Sequence, residues 1–234
     1  MATERRRKSQ SGQEIIEFAM VGVLFVPLLL GSFVVGMNLI RSNQANQVCR
    51  DLTDMYIHGA DFSTYGMQQL AQRLAQGLNL QIGSSFTGNS AANTSNSGNS
   101  LVTVTQIMYI GPTTGSSCTS VGAGNCTNHD SFVYTQRIQF GNGTLASNST
   151  VSMGTPSGAT INTTGAVQNY ITDSHAKLPD PAQTNMRNLW QVSSNGQTPL
   201  TDTQVVYVVE FYSQSADLSL GSMAGNGVYA RYFF

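Results

Sequence analysis

A run of about 20 uncharged residues, Phe18 to Met37, constrains the fold of this chain more than any other feature. At a rise of 1.5 Å per residue, a helix of that length covers roughly 30 Å, the thickness of the hydrocarbon core of a bilayer. Twelve of the residues are Leu, Phe or Val, and their insertion free energies sum to about −4 to −7 kcal/mol before the Gly and Pro penalties. The run therefore predicts a membrane-spanning helix.

Basic residues cluster on one side of this run, at Arg5 to Lys8, and predict its orientation. By the positive-inside rule, the N-terminus stays in the cytoplasm and the long C-terminal part is extracytoplasmic. Arg41 and Arg50 on the far side weaken this bias without reversing it. A cleaved signal peptide is the competing interpretation, but the run is too long and lacks an Ala-x-Ala-type site at its end. We expect a single-pass protein with one anchor.

The composition of the remainder favours contact with other proteins over contact with nucleic acid. Only 10% of the 234 residues are charged, against about 25% in typical soluble domains. Ser, Thr, Asn, Gln and Gly take the place of the missing charges. Residues 51–234 carry nine acidic and five basic side chains, so no basic face is available outside the N-terminal cluster. We therefore expect no nucleic-acid partner.

Glu17 is a carboxylate at the start of the apolar run. In one interpretation it lies in the headgroup layer of the membrane and has no further role. In the other, a peptidase cuts after Gly12, and Glu17 then lies one helical turn beyond the new α-amine of Gln13. A carboxylate and an ammonium are each costly to bury alone, but paired across neighbouring subunits they neutralise one another.

The segment from Ser11 to Gly31 resembles the N-terminal signature of TadE-like proteins, the minor pilins or pseudopilins of the tight adherence (Flp/Tad) pilus system. The family pattern is a Gly, then a Glu-Phe or Glu-Tyr pair, then an apolar run broken by one Pro. The matching residues in this chain are Gly12, Glu17, Phe18 and Pro27. The match covers about the first 45 residues and is specific within them.

This resemblance implies that a prepilin peptidase cleaves the chain between Gly12 and Gln13 on the cytoplasmic face. It implies as partners other pilin and pseudopilin subunits, the inner-membrane assembly platform and membrane lipid. It places the protein in the inner membrane, with incorporation into an extracellular pilus, and it suggests a role in cell adhesion or secretion. The chain is far longer than the major pilin of the system, so we do not expect it to be the main filament subunit.

Hydrophobic periodicity predicts an α+β fold, in which a long N-terminal hydrophobic helix and a second amphipathic helix pack on a small antiparallel β-sheet. The resemblance implies that the long helix is pilin-like. The predicted segments are a basic leader (1–12), a transmembrane and assembly helix (13–58), an amphipathic helix (59–82), a flexible linker or loop (83–100) and an extracytoplasmic β-rich domain (101–234). The predicted strands are 101–110, 131–140, 203–212 and 227–234. Short helices are predicted near 166–173 and 182–190.

The three cysteines divide into a pair and a single residue. Cys118 and Cys126 flank a Gly-rich loop between the first two predicted strands. In an oxidising compartment they would form a disulfide, which closes a short loop and contributes about 2–3 kcal/mol. Cys49 is left over on the long helix, where we expect a buried thiol or a contact with a neighbouring subunit rather than a catalytic group.

Residues capable of catalysis or metal binding are scattered along the chain. His58, His129 and His175 belong to no recognisable catalytic or metal-binding motif. A Ca²⁺ site built from loop carboxylates has no EF-hand spacing to support it. We therefore predict no metal, no cofactor and no enzymatic activity.

We expect a non-enzymatic, membrane-anchored minor pilin that takes part in the assembly of a tight-adherence-type pilus. The alternative is a single-span, periplasm-facing envelope protein whose β-domain binds a ligand or an adhesion target without polymerising. An anchored hydrolase is a weaker third interpretation, because no catalytic motif supports it.

Overall fold

The computed structural model describes residues 3–78, 80–83, 86, 88–148, 153–190, 201–214 and 227–234. Its described residues fall into two compact units, one containing the residues up to Arg41 and the other those from Ser42 onward. The first unit consists of the N-terminal part of a long helix. The second contains the end of that helix, all the other helices and the sheet.

Helix α1 spans Thr3–Ile57 and runs through Pro27 without a break in its assignment. It includes the predicted span, and it ends one residue before the predicted boundary. Gly59, with a φ of +89°, follows its end and takes the left-handed conformation that L-residues avoid. Helix α2, Tyr65–Gly77, matches the second amphipathic pattern.

The sheet has five strands in the spatial order β1-β3-β2-β4-β5. The strands are β1 Ala92–Ser95, β2 Ser100–Ile110, β3 Ser131–Asn142, β4 Val205–Ser213 and β5 Val228–Phe233. Strands β2 to β5 pair antiparallel, as the sequence predicts. The short β1 pairs parallel with β3, so the sheet as a whole is mixed. The α+β prediction is confirmed, and β1 lies within the range 83–100 that the composition assigns to a linker or loop.

One face of the sheet packs against the end of α1 and against α2. The Tyr56 ring meets the Tyr207 ring edge-on at 5.1 Å, and the Phe62 ring stacks on Phe140 at 6.0 Å. This core also includes, from the helices and the strands, Ala45, Val48, Leu52, Ala71, Ala75, Val102, Val104, Ile138, Val209, Phe211 and Ala230. Apolar residues at helical spacing on α1 therefore meet alternate residues of the strands.

The opposite face of the sheet is covered by helix α4, Asp180–Trp190, and by the segment 153–178. Helix α4 confirms the helix predicted near 182–190. The helix predicted near 166–173 is wrong, because the residues there form two isolated β-bridges followed by turns. The backbone N–H of Val167 donates to Thr135 O at 2.9 Å, and Asn169 has a φ of +52°, so the start of this segment bonds to β3 and its remainder forms turns.

A β-bulge interrupts the pairing of β2 with β3. Gln106 pairs with Gln136, but the next residue, Ile107, pairs with Tyr134, which leaves Thr135 as the extra residue. The bulge reverses the alternation of side chains along β3. Tyr134 and Arg137 consequently lie on the same face, the one that α4 and the segment 153–178 cover.

Candidate functional site

The surface of α1 from Ile15 to Ile40 is largely exposed, and it is apolar except at Glu17, Ser32 and Asn38. We call it the apolar helix surface. Its large exposed side chains are Ile15, Ile16, Phe18, Met20, Val21, Val23, Leu24, Phe25, Val26, Leu28, Leu29, Leu30, Phe33, Val35, Leu39 and Ile40. A helix that is apolar all round belongs either in a protein core or in a bilayer. Among the described residues, α1 alone is long and apolar enough to cross a membrane.

The residues predicted for processing, Gly12 and Gln13, lie just before this part of α1, and those predicted for assembly lie within it. Gly12 is exposed, and a Cβ placed there would meet nothing within 4 Å. Glu17 is also exposed, Phe18 retains 80% of its accessible surface, and Pro27 is exposed in the middle of the helix. The side chain of Gln13 lies outside the described part of the structure. Because positions 13 and 17 are four residues apart in one helix, they share a face, one turn apart.

Cys49, the cysteine outside the predicted disulfide, is buried between α1 and the sheet. Its accessible fraction is 1%, and its Sγ donates to Val209 O at 3.1 Å. Burial, together with the negative charge of Glu210, raises the pKa of the Cys49 thiol to about 12. Of the two roles expected for this residue, the structure supports the buried thiol, since the side chain is not available to a neighbouring subunit.

The predicted disulfide joins Cys118 and Cys126, whose Cα atoms lie 5.1 Å apart. A short helix that the sequence analysis missed, α3 Ser116–Val121, carries the first cysteine. Asp202 holds the base of this loop by hydrogen bonds. The Asp202 carboxylate accepts them from Gly111 N, Ser117 N, Ser117 Oγ and Ser116 Oγ at 2.7–2.8 Å.

Two buried charged residues on the face covered by α4 were not foreseen from the sequence. Glu210 on β4 is 4% exposed, and its Oε1 accepts from Met153 N at 2.8 Å and from Tyr229 Oη at 2.5 Å. Its Oε2 has no hydrogen-bond partner among the described residues. The sequence does show a single charged residue, Glu210, within the apolar segment 203–212. The pattern of that segment does not show which residues surround it.

Arg137 on β3 is the second of these charges and is 7% exposed. Its Nη1 donates to Thr105 Oγ1 at 3.1 Å, and its guanidinium lies 5.9 Å from the centre of the Tyr134 ring. Among the described residues no carboxylate lies within the 4.0 Å of an ion pair with it. Burial lowers the pKa of Arg137, an effect that the charge of Glu210 opposes.

A cavity of about 260 Å³ opens beside Arg137. Its walls come from β1 and the residues just before it, from β3, and from the segments 155–156 and 161–163. The lining residues are Ser90, Ala91, Ala92, Arg137, Gln139, Thr155, Pro156, Ile161, Asn162 and Thr163. A buried charged residue therefore borders open space in the second unit.

The histidines are dispersed, and each lies beside an aspartate on the surface. The pairs are His58 with Asp54, His129 with Asp130, and His175 with Asp173. Within the described ranges, no group of three or more His, Cys, Asp or Glu residues is arranged to hold a metal ion. The chain matches no family model, no curated protein and no solved structure.

Proposed function

We propose that this protein is a TadE-like minor pilin or pseudopilin that takes part in the assembly of a tight-adherence-type pilus. The observation that carries the proposal is the arrangement at the start of the apolar helix surface. Gly12, the site where a prepilin peptidase would cut, is followed within five residues by Glu17, and the apolar run starts directly after that carboxylate.

Before assembly, the apolar helix surface would hold the protein in the inner membrane as a single-pass anchor. The basic cluster from Arg5 to Lys8 keeps the N-terminus on the cytoplasmic side, where a prepilin peptidase acts. The domain from Ser42 onward is then extracytoplasmic. After cleavage, the helix would be extracted by the assembly platform into the base or the tip of a pilus.

Pairing between subunits would depend on Glu17. Cleavage creates an α-ammonium on Gln13, and a neighbouring helix in a bundle can bring this charge to the Glu17 carboxylate. Leaving either charge alone in an apolar bundle costs several kcal/mol, whereas the pair is neutral and hydrogen-bonded. The apolar side chains around Glu17 can pack against a neighbouring helix at several axial positions. The charge pair would therefore fix the axial position of each subunit.

The test combines mass spectrometry of the mature protein with two matched variants. We expect the mature chain to begin at Gln13 in cells with an active prepilin peptidase and to keep residue 1 in cells without it. Glu17→Ala should reduce pilus assembly while leaving membrane insertion intact, because a carboxylate is removed and the apolar run is not shortened. Glu14→Ala is the control: it removes an exposed carboxylate three residues earlier and should assemble normally.

Two results would contradict the proposal. One is an intact residue 1 in cells with an active peptidase. The other is normal pilus formation by the Glu17→Ala variant, which would show that the charge pair plays no part in assembly.

The second candidate is a stable single-span envelope protein that binds a ligand without polymerising. The observation that favours it is the cavity beside Arg137, which lies wholly in the second unit and does not involve the apolar helix surface. Under this function the chain would keep its N-terminus, and neither Glu17→Ala nor Glu14→Ala would alter the phenotype.

A further inference from the structure

The cavity beside Arg137 has walls that the backbone holds in place. Ala91 N donates to Thr163 O at 2.9 Å, Gln139 N to Ala91 O at 2.7 Å, and Arg137 N to Gly165 O at 2.8 Å. Gly165 has a φ of +82°, and a Cβ there would lie 2.6 Å from Arg137 O, so the segment 161–165 reaches β3 only because this residue is glycine. The cavity is therefore a formed feature of the fold and does not need a ligand to create it.

Arg137 lines this cavity, and its side chain is a buried positive charge. A guanidinium carries five N–H donors, and one hydrogen bond from them, to Thr105 Oγ1, is found within the described residues. Glu210, the nearby buried carboxylate, uses Oε1 for Met153 and Tyr229 and forms no ion pair with Arg137 among those residues. The charge of Glu210 offsets part of the charge of Arg137, but Glu210 accepts no hydrogen bond from the guanidinium among the described residues. Buried charges in proteins are normally both paired and hydrogen-bonded, so an anion in the cavity would complete the hydrogen bonding of Arg137.

The other lining residues restrict the kind of anion. No Asp or Glu is among the lining residues that the structure describes, so these offer no counter-charge to an ammonium group such as that of an amino acid. Instead it presents neutral hydroxyl and carboxamide groups, which exchange hydrogen bonds with ligand hydroxyls. These groups belong to Ser90, Gln139, Thr155, Asn162 and Thr163.

The volume of the cavity and its apolar wall restrict the class of ligand further. At about 260 Å³, the cavity is smaller than the roughly 300–1,000 Å³ typical of sites for drug-sized molecules, so it suits a single ring. Pro156 and the half-exposed Ile161 give it an apolar wall suited to the C–H face of a sugar ring.

We propose that this cavity binds an acidic sugar of the uronic acid class, with the guanidinium of Arg137 holding the sugar carboxylate. A guanidinium and a carboxylate can form two parallel N–H···O hydrogen bonds. Hydroxyl and carboxamide groups at the rim would bind the ring hydroxyls. The inference goes beyond pilus assembly: it gives the extracytoplasmic domain a target on acidic polysaccharide, and it holds whether or not the chain polymerises.

The test is calorimetric titration of the full chain in detergent micelles with D-glucuronate and with D-glucose. These sugars differ only in a carboxylate that replaces a CH₂OH group, so they isolate the contact with Arg137. For a ligand of this size we expect a Kd on the order of 1 mM for glucuronate and no measurable binding of glucose. Arg137→Gln should raise the Kd roughly ten- to a hundredfold, as expected for the loss of a hydrogen-bonded charge.

A second variant keeps Arg137 and fills the entrance of the cavity. Ala92 is exposed at the mouth of the cavity, so Ala92→Phe should fill the entrance without touching the buried charge. It should abolish glucuronate binding while the circular dichroism melting curve stays that of the parent, which distinguishes a blocked site from a misfolded one.

Three results would overturn the inference. They are equal binding of glucose and glucuronate, unchanged glucuronate affinity in both variants, and tighter binding of L-glutamate than of glucuronate. Saturable glucuronate binding that both variants lose would support it. None of these measurements depends on the N-terminal cleavage or on pilus formation, so the two proposals succeed or fail separately.

Discussion

The aspartate that ties the disulfide loop to the sheet, Asp202, offers the sharpest test of the forces in the second unit. Its carboxylate accepts four hydrogen bonds, two from backbone N–H groups and two from hydroxyls. Partial burial alone would raise the pKa of Asp202. The hydrogen bonds from Ser117 and Gly111, joined by that from Ser116, outweigh this effect and lower the pKa from the ordinary 3.8 to about 2.

This pKa gives the size of the expected effect. The difference between 3.8 and about 2 corresponds to about 2.4 kcal/mol, at 1.36 kcal/mol per tenfold change in proton affinity. Asp202 is partly exposed, so solvent screening reduces this contribution to about 1–2 kcal/mol. Because the pKa is lower in the folded chain than in the unfolded one, the stabilisation is complete above about pH 4 and disappears as the pH falls towards 2.

Asp202→Asn should therefore lower the free energy of unfolding by about 1–2 kcal/mol at neutral pH. The measurement is urea unfolding of the full chain in detergent micelles, followed by near-ultraviolet circular dichroism. The difference between parent and variant should shrink between about pH 4 and about pH 2, since the parent carboxylate then becomes protonated. Asp54→Asn, which changes an exposed aspartate on α1, is the control and should stay within about 0.5 kcal/mol of the parent.

Equal stability of the Asp202 and Asp54 variants at neutral pH would refute this reasoning. A difference from the parent that stayed constant down to about pH 2 would refute it as well, because the loss would then come from packing and not from ionisation.

Two further predictions concern α1. Leu52→Ala should lower the free energy of unfolding of the second unit by about 2–5 kcal/mol, because Leu52 is 0% exposed. Leu39→Ala, at a position that is 62% exposed, should leave that free energy unchanged, and similar melting temperatures for the two variants would contradict the prediction. Cys49 should resist maleimide at about pH 8 and react once urea unfolds the chain, since at a pKa of about 12 roughly one thiol in ten thousand is ionised; rapid labelling of the folded chain would contradict it.

The elements that can be predicted from the sequence are those that residues close together in the chain determine. The end of α1 follows from apolar residues at helical spacing and from Gly59, and the four long strands follow from runs of β-branched and aromatic residues. The disulfide between Cys118 and Cys126 follows from a separation of eight residues within the loop that joins two predicted strands. The candidate processing residues also form one continuous stretch, from Gly12 to Phe18.

The elements that the sequence does not predict depend on distant partners. Strand β1 has four residues, rich in Asn, Ser and Thr, and it exists because β3 provides hydrogen-bonding groups at its free edge. Residues 166–173 carry a weak helical pattern, yet β3 takes up the backbone N–H of Val167. In both cases tertiary hydrogen bonds outweigh local propensity, which spans only about 1 kcal/mol per residue.

The cavity beside Arg137 shows why the alternation of side chains can mislead at a candidate site. Strict alternation along β3 would place Tyr134 and Gln136 on one face and Arg137 on the other. The bulge at Thr135 instead brings Tyr134 and Arg137 to the same face, beside the strand that carries Glu210. Bulges commonly re-aim side chains next to functional sites. Here the one extra residue places Arg137 on the face that carries Tyr134 and Glu210, so alternation along β3 alone does not predict the surroundings of this buried charge.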